Sequence, residues 1–96
     1  MYPLEEVLTW EAKMADDLDQ ERQLLAAYRW IKIDLNDRRQ TLLQEDTIDV
    51  PALQQLDEAI VSIIELIDEK KHRIEEKQRE VEAMFYQWQQ VLLQEK

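Results

Sequence analysis

The chain has 96 residues, no glycine, no cysteine, two prolines and a formal net charge of −10. The missing cysteine excludes a disulfide, a thiolate nucleophile and a thiolate metal site. The acidic balance argues against nucleic acid as a partner, because phosphate binding needs a concentrated cationic face. Residues 1–46 and residues 47–96 each carry eleven acids and six bases, so the charge belongs to the whole chain and not to a detachable tail. With heavy use of Leu, Glu, Gln, Lys, Arg and Ala, little favours strands or tight turns, and the composition predicts an all-α protein. One domain of this length has a thin core, which a second copy or a partner would help to complete.

Taken in chain order, the first helix is predicted over about residues 3–44. Pro3 suits a first helical turn, where its missing N–H costs nothing, and Glu5 and Glu6 complement the positive end of the helix dipole. No breaker follows until the segment Glu45-Asp46-Thr47-Ile48-Asp49-Val50-Pro51. There, polar residues that compete for backbone hydrogen bonds precede a proline that restricts Val50 to extended conformations. A turn is predicted over about 45–50, with Asp49 the preferred cap of the next helix and Thr47 or Val50 as alternatives. The second helix runs over about 51–95. A short link between two nearly equal helices predicts a single antiparallel, coiled-coil-like hairpin domain over 1–96.

The second helix carries the clearest pattern. Leu53, Leu56, Ile60, Ile63, Ile67, Ile74, Val81, Met84, Trp88 and Val91 occupy alternating a and d positions of a heptad repeat, interrupted only by Lys70 and Lys77. If the turn centres near residue 48 or 49, residues whose numbers add to about 98 face each other. Leu42 then meets Leu56, Leu35 meets Ile63, Met14 meets Met84 and Val7 meets Val91. The same register sets Glu21 against Lys77, and Asp16, Asp17 and Asp19 near Lys77 and Arg79. The Glu21–Lys77 pair is expected to fix register more than to add stability, since desolvation offsets much of its Coulomb gain. Residues 68–80 contribute only Ile74 to the stripe and are expected to be the loosest part of the hairpin.

The first helix has a seam of Leu4, Val7, Met14, Leu18, Leu25, Tyr28, Leu35 and Leu42, but it is apolar elsewhere too. Ala26, Trp30 and Ile33 form a second stripe pointing away from the seam, with Leu24, Ala27 and Ile31 crowded around them. Val61, Ile64 and Leu66 widen the second helix in the same way. One partner helix cannot cover all of this, so the hairpin is expected to complete a four-helix bundle by dimerisation or with another protein's helices. Burying a Trp and two Ile would stabilise such an assembly by roughly 5–8 kcal/mol before ordering costs. Near the termini, Met84, Phe85, Trp88, Val91 and Leu92 are expected to close the open end against Leu4, Val7, Leu8 and Trp10. Tyr86 and Leu93 face outward there and are further candidate interface residues.

Chemistry is sparse. Glu69 and His72 have the i, i+3 spacing of carboxylate-bridged di-iron bundles, but the motif occurs once and its histidine falls on an outer position, so no metal is expected. Asp16-Asp17 and Glu75-Glu76 are sequence neighbours that diverge by about 100° on a helix and form no acid/base pair. There is no glycine-rich phosphate loop, no nucleophile beside a base, and no strand framework. The expectation is no enzyme, no catalytic residue and no cofactor. Lys70, Lys71, Arg73, Lys77 and Arg79 are interleaved with Glu69, Glu75, Glu76 and Glu80, which predicts intrahelical ion pairs. No stretch approaches the roughly 20 apolar residues of a membrane span, and the start of the chain lacks a signal peptide's basic and apolar runs. A cytoplasmic protein without membrane insertion is expected, unless a machine independent of signal peptides exports it.

In size and in its two near-equal antiparallel helices, the chain resembles the small helical-hairpin accessory and chaperone proteins of bacterial secretion systems. The build is similar to the Trp-x-Gly family of type VII systems, although the break at Asp46 to Pro51 contains neither Trp nor Gly. The nearest counterpart of that family's C-terminal Tyr-x-x-x-Asp/Glu signal is Tyr86-Gln87-Trp88-Gln89-Gln90, with an amide in place of the acid. The resemblance implies a non-enzymatic adaptor or chaperone that pairs with the helices of a partner protein. The alternative is a structural homo-oligomer with no other ligand.

Overall fold

The computed structural model describes residues 4–94, apart from the side chains of Leu4 and Val7. Two helices account for nearly all of it, α1 (Leu4–Leu43) and α2 (Val50–Gln94). The ends expected at residues 3 and 95 lie outside the described residues. Trp10 stacks edge-on against Phe85 near one end, and Arg39 pairs with Asp57 near the other, so the helices run antiparallel. The result is a rod measuring 76 × 17 × 14 Å.

The ends of the helices at the elbow follow from local chemistry. Without glycine, α1 closes by tightening its last turn. The Gln44 N–H is shared between the carbonyls of Gln40 and Thr41, both at 3.2 Å, and the Glu45 N–H reaches the Leu42 carbonyl at 3.3 Å. No described residue adopts a positive φ, so the usual left-handed cap is not used. At the start of α2 the Ala52 N–H donates to Asp49 Oδ1 at 3.2 Å, and the Leu53 N–H to the Asp49 carbonyl at 3.0 Å. Asp49 is therefore the cap. Val50, expected to be extended ahead of proline, is instead the first residue of α2. The preference against helix before proline is modest, and the Asp49 cap outweighs it, while Pro51 sits in the first turn where no N–H is missed.

The core is a single line of side chains. Leu18 and Leu25 of α1 and Ile63, Ile67 and Ile74 of α2 are buried, with Tyr28, Leu35 and Val81 packed partly against them. All eight lie on the stripe that the heptad repeat marks out. None is fully excluded from solvent, because two helices can enclose a residue on only one side. Leu42 and Leu56 share a groove, as do Met14 and Met84, in keeping with the expected register. The expected pairing of Val7 with Val91 falls on a side chain outside the described set.

One expectation is reversed. Residues 68–80 are not the loose part of the rod, because Ile74 is among its best-buried residues and charged groups clamp both sides of it. Burial declines toward the open end instead, where Met84 and Leu92 are exposed and Trp10, Phe85, Trp88 and Val91 are only half-buried.

Candidate functional site

With the seam as the inner face, helix geometry sorts the remaining apolar residues onto two flanks, since each residue turns the helix by about 100°. On α1, Ala26 and Ile33 project to one flank and Trp30 almost straight outward beside them. On α2, Val61 and Ile64 project to the adjoining flank. All five are exposed, Trp30 at 71%. The structure thus brings Ala26, Trp30, Ile33, Val61 and Ile64 into one strip across both helices, near the middle of the rod. Arg22 and Arg29 lie between its α1 and α2 parts, and Glu58, Glu65 and Asp68 border it on α2.

Tyr86 and Leu93 are also exposed, at 64% and 62%, but they lie near the open end, far from the strip. They do not belong to the same patch. They share the outer face of α2 with each other, being seven residues apart.

The opposite flank is differently built. Leu24 and Ile31 of α1 project there at roughly 90° from the seam, together with Ala52, Ala59 and Leu66 of α2. Shallow grooves follow this side. One is lined by Asp37, Arg38, Thr41, Leu42 and Leu56 near the elbow, one by Tyr28, Leu66, Glu69, Lys70 and Arg73, and one by Trp10, Met14, Glu80, Val81, Ala83 and Met84 toward the open end. Sequence reading noticed Leu24, Ile31 and Leu66 as crowding. It missed that they form a separate face, although their positions one before each seam residue Leu25, Lys32 and Ile67 carry that information.

Between the flanks lies the ion cluster of the seam. Glu21 Oε2 is 2.8 Å from Lys70 Nζ, and Oε1 is 3.6 Å from Lys77 Nζ. Glu21 therefore meets the expected Lys77, but Lys70 is the nearer partner. The two lysines are one heptad apart and Glu21 lies level with the space between them, so one carboxylate bridges both. Oε2 is shielded from solvent, and Lys70 is its ion-pair partner there. The Lys70 ammonium holds the Glu21 carboxyl below its usual range, with Lys77 adding to the effect and burial opposing it.

Arg79 pairs with Glu75 and Arg73 with Glu69 on their own helix. Arg39 Nε donates to Asp57 Oδ1 at 2.7 Å across the helices, a pair that the heptad reading passed over because Arg39 occupies a seam position meant for an apolar residue. His72 is exposed, 3.8 Å from Asp68. Among the described residues no group of three or more His, Asp or Glu stands close enough to hold a metal ion. No described helix is long and apolar enough to cross a membrane. Comparison of the chain with protein-family models, with curated proteins and with solved structures finds no match in any of the three.

Proposed function

We propose that this protein is a non-enzymatic helical adaptor or chaperone, whose hairpin docks a helix of another protein along the Trp30 strip. The observation that carries the reading is Trp30 itself. A tryptophan exposed at 71% beside Ile33, Val61 and Ile64 leaves a large apolar area in water at the middle of the rod. Aromatic residues of this kind dominate the energetics of protein interfaces, and a contiguous exposed patch marks an interaction site. The strip runs about 11 Å along α1 at 1.5 Å per residue, two helical turns, which suits an amphipathic helix with anchors at i, i+4 and i+7. Arg22 and Arg29 within the strip favour acids on the docked helix, and the carboxylates on its α2 border favour bases. The small hairpin build is compatible with a place beside a secretion substrate in the cytoplasm, and that setting is part of the proposal.

The test is co-purification of the tagged protein from its native host, compared between the wild type and a Trp30→Asp variant. A helical partner should be retained by the first and lost with the second, and its addition should raise the melting temperature of the purified hairpin. A partner retained equally by Trp30→Asp would overturn the reading. A second reading, a purely structural homo-oligomer, is favoured by the apolar residues of the opposite flank, which one docked helix on the Trp30 side would leave in water.

A further inference from the structure

We infer that the grooved flank binds a second copy of this chain, with a twofold axis crossing α1 between Leu24 and Ile31. Asp17, Leu24, Ile31 and Arg38 are spaced by one heptad and share this flank, in the order acid, apolar, apolar, base. Reversed, the strip reads base, apolar, apolar, acid. Two such strips laid antiparallel therefore match at these four positions, with Leu24 against Ile31 in the middle and Asp17 against Arg38 of the second copy at both ends, where Arg38 also lies 3.0 Å from Asp34 of its own helix. An isologous interface requires this kind of self-complementarity. Ala27, one turn from Leu24 and close to the axis, lets the two α1 backbones approach.

Charge also selects this axis over its rival. A twofold axis along the rod would lay α1 on the copy's α2, setting Asp17 level with Glu80, which places like charges together, and Arg38 beside Ala59, which leaves it only Asp34 of its own helix. With the axis across the rod, α2 packs on its own copy near Glu69, where Arg73, already 3.5 Å from Glu69, offsets the two carboxylates. The Trp30 strip lies on the far side of this dimer and stays free for a different protein.

The full chain is examined by sedimentation equilibrium as wild type, Asp17→Arg, Arg38→Asp and the double swap. Each single variant faces like charges twice and should weaken dimerisation by about tenfold or more, whereas the double swap restores the match and should return to within about threefold of wild type. Helical content by circular dichroism should be the same for all four, because both positions lie outside the core. An Ala27→Cys variant should cross-link to a dimer with a short bismaleimide, and Trp30→Asp should still dimerise. A monomeric wild type at high micromolar concentration, a double swap as weak as the two singles combined, or a dimer abolished by Trp30→Asp would each overturn the inference. None of these three results bears on whether another protein binds the Trp30 strip, which the co-purification reads separately.

Discussion

The two flanks of this hairpin expose similar residues and differ in where those residues sit on the helix. Leu24, Ile31 and Leu66 stand about a quarter turn from the seam, so a neighbouring helix that reaches them also reaches the seam edges at Tyr28, Leu42 and Met14. Ala26, Trp30 and Ile33 stand further round, with Arg22 and Arg29 between them and the seam. The first arrangement extends the core sideways, as a bundle does. The second presents an isolated apolar ridge, which suits a smaller contact dominated by one aromatic anchor. Under the proposed roles, it is angular distance from the seam, and not exposed apolar area, that sets the assembly face apart from the docking site.

The comparison is broken most severely by removing what holds both flanks in place. Ile67→Ala should cost about 2–4 kcal/mol of stability, seen as a large fall in the melting temperature, since its side chain is buried at the centre of the core line. If the loss is below about 1 kcal/mol, the core is not where the buried residues place it. Leu24→Asp should abolish self-association while leaving the monomer helical, whereas Trp30→Asp should leave self-association intact. Light scattering on the two variants reads the contrast directly.

Smaller effects sharpen the frame. Glu21→Gln removes the charge that Lys70 and Lys77 share and should destabilise the hairpin by about 1–2 kcal/mol, measured by urea unfolding. The wild type should show a matching pH dependence. Because the Glu21 carboxyl is held below its ordinary value of 4.5 in the folded state, its contribution is fully present above that pH and is lost as the pH falls through the lower folded value. The Glu21→Gln variant should lack this portion of the acid transition. Asp49→Ala should cost about 1 kcal/mol through loss of the cap on α2. Trp30→Ala should change the stability of the isolated hairpin by no more than about 0.5 kcal/mol, because an exposed side chain contributes little to the fold that displays it.

Much of this architecture is written locally. Two long helices follow from a composition without glycine and with strong helix formers. Their boundary follows from Asp49 and Pro51, whose effects act within a few residues. The seam follows from heptad spacing, because a side chain's angular position on a helix depends on its number alone. The exposure of Trp30, Ile33, Val61, Ile64, Tyr86 and Leu93 was legible for the same reason.

What tertiary structure decided are the matters of level and adjacency between the two helices. Glu21 bridges two lysines and lies nearest Lys70, a choice set by stagger across the seam that no pattern within one helix records. Ile74 is buried amid charges because Glu21 reaches across to clamp its neighbours, which reverses the expectation drawn from the stripe's thinness there. Tyr86 and Leu93 part company with the Trp30 strip in both height and direction, since they lie on the outer face of α2 near the open end of a rod 76 Å long. Spacing along a helix determines direction, and only the packing of one helix on another determines which directions meet.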